Sequence, residues 1–304
     1  MGSPFGRLTL IVDAAGGGGR VGEELPEVER ILASRGLGYR IERIGEPGEA
    51  TMVARETLAA GQRFLVAVGG DGVVHAVVNG MLEDDRPVVP DPVLGVVSAG
   101  ATNDFMRTFA LPGDASAAIH LAGETVYPLD VGKVAYVDPQ GRSAFRYFVN
   151  IAEAGLGADV VLRARRRRAG RLGHFLGFWG AVTRAKRARV TVQAARKSYE
   201  GEAYNVIVGN GRYSGGGLAA SPRSFPGDGV LDVLVMRGPK SDAFTMLPQI
   251  YRGEQVPSPH IVELRGKDVR IQGDRPLPLA VDGEPIGSTP AAFRAIPGAI
   301  LFKI

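Results

Sequence analysis

The sequence contains no cysteine, and this absence excludes two kinds of structure. Without thiols, the chain can form neither a disulfide framework nor a thiolate metal site. Long apolar runs are also absent, because no stretch approaches the roughly 18 uninterrupted apolar residues of a membrane-spanning helix. The apolar run within "MGSPFGRLTLIVDAAG" at the N-terminus is too short for a secretory signal peptide. Together these absences predict a cytoplasmic protein.

Acidic residues are missing from one strongly basic segment. "RARRRRAGR", Arg163–Arg171, has six arginines, and without them the net charge of +4 would become −2. The basic character is therefore local, and we expect no nucleic-acid partner. Phe175, Phe178 and the single Trp179 follow this run, so Arg163–Trp179 is predicted to dock on an anionic membrane surface. Single-stranded nucleic acid attracts the same mixture of residues, and a solvated helix is a third interpretation.

The order of strand and helix patterns divides the 304 residues into two predicted domains. Up to residue 125, apolar strands such as "LTLIV" and "FLVAV" alternate with helical patterns. This alternation is typical of an α/β domain with a parallel sheet and helices on both faces. From residue 126, strands follow one another between Gly, Pro and Asp turns, which indicates an antiparallel sandwich or barrel-like domain.

Two loops rich in small residues follow strands of the predicted parallel sheet, where such sheets bind ligands. Gly69–Gly72, "GGDG", opens a helix, whose free amides attract phosphate, and glycine lets a ligand approach the backbone closely. Asp71 is suited to hold Mg²⁺ or to orient an attacking hydroxyl. The second loop, Ser98–Ala101, enters a helix that Thr102 or Asn103 is expected to cap. Side by side, the two loops predict a nucleotide site, although the first alone also fits a plain turn.

A different glycine motif points to a dehydrogenase. "GGGRVG", Gly17–Gly22, fits G-x-G-x-x-G, and Glu42 follows at the distance found in dinucleotide-binding folds. The motif lies within a run of four glycines, which produces such matches easily. It also leaves the two other loops without a function, so we favour the nucleotide site that they form.

Carboxylates near glycines mark two further positions in the second domain. Asp228, between Gly227 and Gly229, is able to bind a cation together with backbone carbonyls. Asp282 and Glu284 lie at a strand end in "VDGEPIG". Alternate residues of an extended chain point the same way, so both carboxylates are predicted to reach one site. Tight turns without a ligand are the alternative at both positions.

Several motifs, in order, resemble the bacterial diacylglycerol kinase and lipid kinase family, whose catalytic domain is shared with sphingosine kinases and related to NAD kinases. "GGDGVVHAVVNG" is similar to the family's GGDGTxNEVxNG, and "GVVSAGATNDF" to its GxxPxGTxNDF. In family order follow "LDVGKV", "FVNIAEAGLGADV", "VGNGRYSGGG", "PGDGVLDV" and "VDGEPIGSTPAAFRAIPGAI". The resemblance therefore covers almost the whole chain.

The resemblance implies an α/β nucleotide-binding domain, NAD-kinase-like, and a C-terminal β-sandwich for substrate and metal. The first domain would comprise 1–125 and about 290–304, where the last strand returns, and the second 126–289. The implied activity is ATP- and Mg²⁺-dependent phosphorylation of a diacylglycerol-like lipid hydroxyl at the membrane surface. The protein would thus be cytoplasmic and peripherally membrane-associated, and a homodimer is among the expected assemblies.

The resemblance also assigns roles to individual residues. It implies a catalytic centre with Asp71, and with Glu284 or Asp282 as proton acceptor. A Mg²⁺ site would combine the carbonyls of Phe225 and Val230 with the carboxylate of Asp228. The nucleotide would be held by Gly69, Gly70, Asp71, Gly72, Val73, Val74, His75, Gly100, Ala101, Thr102, Asn103 and Asp104.

The chain departs from the family pattern around the nucleotide. Val73 and Ala101 replace threonines, His75–Ala76 replaces Asn-Glu, and the first loop begins with Asp13–Ala14. These changes remove hydrogen-bonding groups, so the sequence predicts a slow lipid kinase. The alternatives are a nucleotide-binding protein with little catalysis that acts in regulation or lipid sensing, and a kinase of a soluble substrate. A soluble substrate would leave the Arg163–Trp179 segment without a function.

Overall fold

The structure is a computed structural model that describes residues 3–46, 48–98, 102–167 and 180–304, with the side chains of all except 165–167 and 243. The predicted nucleotide contacts Gly100 and Ala101 lie outside the described residues. So does most of the predicted membrane segment, Arg163–Trp179. Strands and helices are numbered below in chain order.

The N-terminal part is an α/β domain built on four parallel strands in the order β2-β1-β3-β6. Strands β1, β3 and β6 are buried along their whole length, as expected where helices cover both faces of a parallel sheet. Two short strands, β4 and β5, form a separate hairpin. The strands are β1 (Leu8–Val12), β2 (Tyr39–Arg43), β3 (Phe64–Gly69), β4 (Leu82–Glu83), β5 (Arg86–Pro87) and β6 (Val93–Ser98).

Helices cover both faces of this parallel sheet. On one face, α1 (Arg20–Ser34) packs through Val21, Leu25, Val28 and Leu32, which recur at helical spacing. On the other face lie α2 (Glu49–Ala59) and α3 (Asp71–Met81), whose apolar side chains form a separate core cluster with the sheet. A short helix, α4 (Asp104–Thr108), and a 3-10 helix over Ala115–Ala122 complete this domain.

The remainder of the chain is a mainly antiparallel β-sandwich. One layer has the strand order β14-β13-β12-β9-β16-β17, and β10, β11, β15, β7 and β8 build onto it through β17. Side chains from both layers share one apolar core. The strands are β7 (Val126–Val137), β8 (Ser143–Phe148), β9 (Ile151–Gly155), β10 (Ala188–Ala194), β11 (Lys197–Ala203), β12 (Asn205–Gly209), β13 (Leu231–Met236), β14 (Ile261–Gly266), β15 (Asp268–Gly273), β16 (Pro278–Val281) and β17 (Glu284–Lys303).

Helices lie over the outer face of the sandwich layer that contains β9. They are α5 (Leu156–Arg167), helical residues 180–184, α6 (Asp242–Thr245) and α7 (Leu247–Arg252). Beneath them, Ile151, Ile207 and Leu234 of three neighbouring strands form a small apolar cluster with Met246. The outer face of this layer is thus apolar rather than polar, which matters for the site described below.

The last strand joins the two domains. The 20-residue strand β17 begins against β16, continues along β15 and β7, and ends parallel to β6. Near its end, Phe302 is fully buried against Phe105 and Phe109 of the α/β domain. The predicted fold class, a parallel α/β domain followed by a β-sandwich, is confirmed. We keep the exact division, 1–125 with 290–304 and 126–289, as a proposal.

Candidate active site

Three loops meet at the carboxyl ends of neighbouring parallel strands. The loop after β1 lies beside the loop after β3, since the Asp13 amide donates to the Val68 carbonyl at 3.2 Å. The loop after β3 contacts the segment that follows β6 through Asp71. Ligands of open parallel sheets bind at this edge, so the fold places the predicted nucleotide loops together.

Asp71 joins two of these loops through its carboxylate. Its Oδ2 accepts a hydrogen bond from the Asp104 amide and its Oδ1 from the Phe105 amide, both at 3.0 Å, and the Thr102 hydroxyl donates as well. These amides are the first of α4, so Asp71 caps that helix from another loop. Asn103 at the N-cap position makes no capping bond, so the prediction that Thr102 or Asn103 caps the helix is wrong. Burial raises the pKa of Asp71.

The first turn of α3 leaves space for a ligand at Gly72, although its valines do not contribute their side chains. A Cβ added at Gly72 would meet open space, so a ligand has room beside the helix start. Amides at such a helix start attract phosphate. Val73 and Val74 are buried in the core with 2% exposure each, and Val73 packs against Gly69. The predicted nucleotide contact at these two positions is therefore limited to backbone.

His75 points away from solvent and bonds to the β-sandwich. Its ring Nδ1 lies 3.0 Å from Oδ2 of Asp282, and the histidine side chain is 7% exposed. The same helix is tied to the sandwich by Asn79, whose amide group exchanges hydrogen bonds with the backbone of Tyr147. His75 therefore lies at the interface between the two domains. Its assignment as a nucleotide contact stays a prediction.

Asp282 is an organising group of the domain interface. In addition to His75, its carboxylate accepts hydrogen bonds from the amides of Val149, Asn150 and Ile151 at 2.9–3.1 Å. Its side chain is 1% exposed. These amides and the His75 ring occupy the oxygen atoms of the carboxylate. With these lone pairs in use, Asp282 is poorly suited to accept a proton from a substrate.

Glu284 is the better candidate for the proton acceptor. The prediction that Asp282 and Glu284 lie on an extended chain is wrong, because Asp282 (φ 46°) and Gly283 (φ 78°) form a tight left-handed turn between β16 and β17. The turn separates a buried carboxylate from a partly exposed one at the first residue of β17. Of the two alternatives, the geometry favours Glu284.

Asp104 and the loop 214–218 connect the nucleotide side to the sandwich. Oδ2 of Asp104 accepts from the Gly216 amide at 2.8 Å, and the adjacent Gly217 amide also interacts with this carboxylate. Burial, with a smaller effect from the charge of Asp71, raises the pKa of Asp104 to about 6. Thr102 lies next to the same loop, with its methyl group near Gly216. The Asp104 side chain thus faces protein rather than an open phosphate site.

The residues of the predicted Mg²⁺ site bond to other groups of the protein, and the site itself stays a prediction. The carboxylate of Asp228 forms a salt bridge with Arg265, and its Oδ1 accepts from the Val230 amide at 3.2 Å. The Phe225 carbonyl accepts from the Gly227 amide at 2.8 Å. Within the part of the chain that the structure describes, no three His, Cys, Asp or Glu residues are grouped as metal ligands. Asp228 is therefore an ion-pair partner in a closed turn.

An apolar cavity of about 200 Å³ lies beside the loop 214–218. Its floor is the outer face of β9, β12, β13 and β14, and its cover is formed by α5, residues 180–184, α6 and α7. Ser214, Gly215 and Leu218 line it, so the loop that bonds to Asp104 also forms a cavity wall. The arrangement is able to place an apolar ligand next to the nucleotide loops.

Fold and site together place glycine-rich loops of an α/β domain beside a β-sandwich that contains an apolar cavity. Residues 7–134 match the diacylglycerol kinase catalytic domain, and residues 150–302 match the YegS C-terminal NAD kinase beta sandwich-like domain. The chain belongs to the diacylglycerol kinase and YegS-like lipid kinase family. The predicted family, the NAD-kinase-like fold and the enzyme class, a lipid kinase, are thereby confirmed.

Individual relatives are similar over most of their length. A "Probable lipid kinase YegS-like" of Pseudomonas aeruginosa is 30% identical over 88% of this chain and 84% of its own. A "Diacylglycerol kinase" of Bacillus subtilis is 28% identical over 81% and 79%. A solved Bacillus anthracis protein, described as a candidate diacylglycerol kinase, superposes with a TM-score of 0.78 at 27% identity, covering 99% of this chain and 98% of its own.

Proposed function

We propose that this protein transfers the terminal phosphate of ATP to the hydroxyl of a diacylglycerol-like lipid at a membrane surface. The observation that carries the proposal is the shared loop 214–218. It bonds to Asp104 on the nucleotide side and lines the apolar cavity on the other side. A lipid whose chains occupy the cavity would therefore present its polar end toward the nucleotide loops.

The proposed reaction needs positioning more than covalent chemistry. The first turn of α3 binds the nucleotide phosphates, and Asp71 holds the adjoining loop in place. Glu284 accepts the proton of the lipid hydroxyl. Mg²⁺, which commonly bridges nucleotide phosphates, would enter with ATP rather than bind at the turn 225–230. The cavity keeps the apolar chains out of water.

The test is transfer of label from γ-labelled ATP and Mg²⁺ to a cellular lipid extract, followed by extraction into organic solvent. We expect labelled lipid with the wild type. Ala220→Trp places a large ring in the cavity, since Ala220 lines it. We expect KM for the lipid to rise roughly tenfold or more, because burial of several methylenes is lost at about 0.8 kcal/mol each.

The matched control is Ala33→Trp, on the exposed side of α1. It should leave both substrates unaffected, and both variants should bind ATP and unfold at the wild-type temperature. Equal lipid KM in all three proteins would contradict the cavity assignment. ATP binding without transfer to any lipid would favour the alternative, a silent nucleotide-binding protein.

Membrane docking is supported by basic side chains next to the cavity. Exposed Arg184, Lys186 and Arg187 adjoin the wall residue Ala185, and exposed Lys240 is itself part of the lining. Lys240 also donates to the Thr183 carbonyl at 3.1 Å, which groups these charges. Among the described residues, no helix is both long and apolar enough to cross a membrane. We propose that this basic rim binds anionic headgroups, together with the Arg163–Trp179 segment.

Reversal of two charges tests the rim. Each basic residue near an anionic surface contributes about 1 kcal/mol, so Arg184→Glu with Lys186→Glu should weaken binding to phosphatidylserine vesicles roughly thirtyfold or more. The control is Arg35→Glu with Arg43→Glu, which changes the net charge by the same amount at two exposed positions of the α/β domain. It should have little effect on vesicle binding. Vesicle sedimentation at low and high salt measures both. Equal losses in the two double variants would count against a specific docking face.

A further inference from the structure

The wall of the apolar cavity contains one carboxyl group on its sheet side, that of Glu153. Side chains alternate along β9: Ala152 and Ala154 face the sandwich core, whereas Ile151 belongs to the outer apolar cluster. Glu153 therefore points outward, and it lines the cavity. The described reaction gives this buried acid no role.

Asn205 orients the Glu153 carboxyl group. The Asn205 Oδ1 accepts a hydrogen bond from the Gly157 amide at 3.1 Å, and the Asn205 side chain also interacts with Glu153. A Cβ at Gly157 would lie 2.3 Å from Oε2 of Glu153, so glycine makes room for the carboxyl group. Burial raises the pKa of Glu153 to about 7, with the Asn205 bond opposing the rise. Among the described residues no cation pairs with it.

Glu153 lies a short distance along β9 from the turn Asp282–Glu284. The Ile151 amide donates to Asp282, and Glu153 follows two residues later, opposite Ala280 of β16. At about 3.4 Å per residue, this is roughly 7 Å along the strand. A lipid that reaches from the turn into the cavity would pass Glu153 with the atoms just beyond its reacting hydroxyl. In an acylglycerol, those atoms include the ester carbonyls.

We propose that Glu153 is a specificity-determining residue that donates a hydrogen bond to an ester carbonyl of the lipid. This inference rests on the proposed function and deepens it, because it selects acyl-linked over alkyl-linked glycerol lipids. A protonated carboxyl group has one O–H donor, and the O–H of Glu153 needs an acceptor in a cavity whose lining is mainly apolar. An ether oxygen is a weaker acceptor than an ester carbonyl.

The test compares two soluble lipids, dioctanoylglycerol and its dioctyl ether analogue, by calorimetric titration at pH 6.5. A net hydrogen bond of 0.5–1.5 kcal/mol predicts an ester preference of about three- to tenfold for the wild type. Glu153→Gln keeps a donor and should keep the preference. Glu153→Leu should bind both lipids equally. A wild type without preference, or Glu153→Leu with the wild-type ratio, would overturn the inference.

A pH series adds a signature that a merely structural role would not produce. The ester preference should fall as pH rises through about 7, because the carboxylate no longer donates, and it should be flat in Glu153→Gln. The neighbours on β12 and α5 that line the cavity near Glu153 are uncharged, and Asp159 and Arg163 of α5 pair with each other. Farther along the cavity, the titratable groups are Tyr204, Lys240, Asp242 and His260. A pH dependence that persists in Glu153→Gln would belong to these groups and count against Glu153.

Binding and transfer separate this inference from the proposed function. If the ester preference depends on Glu153 but no lipid is phosphorylated, the kinase proposal fails and the recognition stands. If both lipids are phosphorylated with a ratio that Glu153→Leu leaves unchanged, the kinase proposal stands and the Glu153 inference fails. Thermal unfolding of both variants confirms that each has folded.

Discussion

Asp282→Asn is expected to be the most destabilising conservative substitution in this protein. Asparagine offers one acceptor oxygen and turns an NH₂ group toward amides that now donate to a carboxylate. It also removes the charge that faces His75. Loss of one partner from a buried charged network costs about 3–5 kcal/mol, which thermal unfolding would show as a lower transition temperature.

Glu284→Gln is the matched partner of this substitution, two residues away. If Glu284 accepts the substrate proton, this variant should lose phosphoryl transfer with a smaller change in unfolding temperature than Asp282→Asn. The two changes thus separate stability from catalysis on either side of one turn. An Asp282→Asn protein with wild-type thermal stability would show that the buried bonds contribute little.

Asp71→Asn should lower phosphoryl transfer by roughly a hundredfold, because the loop it holds would no longer be positioned at the nucleotide. The asparagine NH₂ group would meet the Asp104 or Phe105 amide, so one buried donor loses its acceptor at a cost of about 1–3 kcal/mol. A loss of stability should therefore accompany the loss of rate. Steady-state kinetics and thermal unfolding on the same preparation measure both.

Thr102→Val provides a graded control for Asp71. It removes only the hydroxyl donor and keeps the charge and both backbone bonds. We expect a smaller effect on rate, about tenfold or less, at the scale of one hydrogen bond. Wild-type turnover by folded Asp71→Asn would refute the role assigned to this carboxylate.

The sequence allowed the fold to be predicted because its local patterns agree with the tertiary structure. The apolar runs at 8–12 and 64–68 form buried parallel strands, and the helical repeat from Val21 to Leu32 faces the sheet. Glycine and small-residue loops end these strands where predicted. Such regularities depend on residues that are close in sequence, so they can be recognised from one sequence alone.

The chemistry of the site was harder to predict because it depends on contacts between distant residues. Asp71 caps a helix 33 residues away, and His75 bonds to Asp282 across 207 residues. The structure also changes the interpretation of Ala76, which departs from the family's glutamate. This residue is 6% exposed and lies in the core. A glutamate there would bury a charge instead of restoring a nucleotide contact. The ion pair of Asp228 with Arg265 on β14 likewise could not be predicted, and the metal site at Asp228 stays a prediction.

The path of β17 determines when the α/β domain can finish folding during synthesis on the ribosome. The parallel sheet gains its fifth strand only when Leu301 and Phe302 of β17 pair with β6. Lys303 then donates to the Thr125 carbonyl at 2.7 Å. Domains usually fold as they emerge, the N-terminal one first. Here, the N-terminal domain cannot complete its sheet until residues 301–302 have been synthesised, and the edge of β6 and the aromatic pocket around Phe105 stay open until then. A nascent chain stalled before residue 300 would therefore have an α/β domain whose sheet is incomplete, whether or not the strands of the β-sandwich had folded.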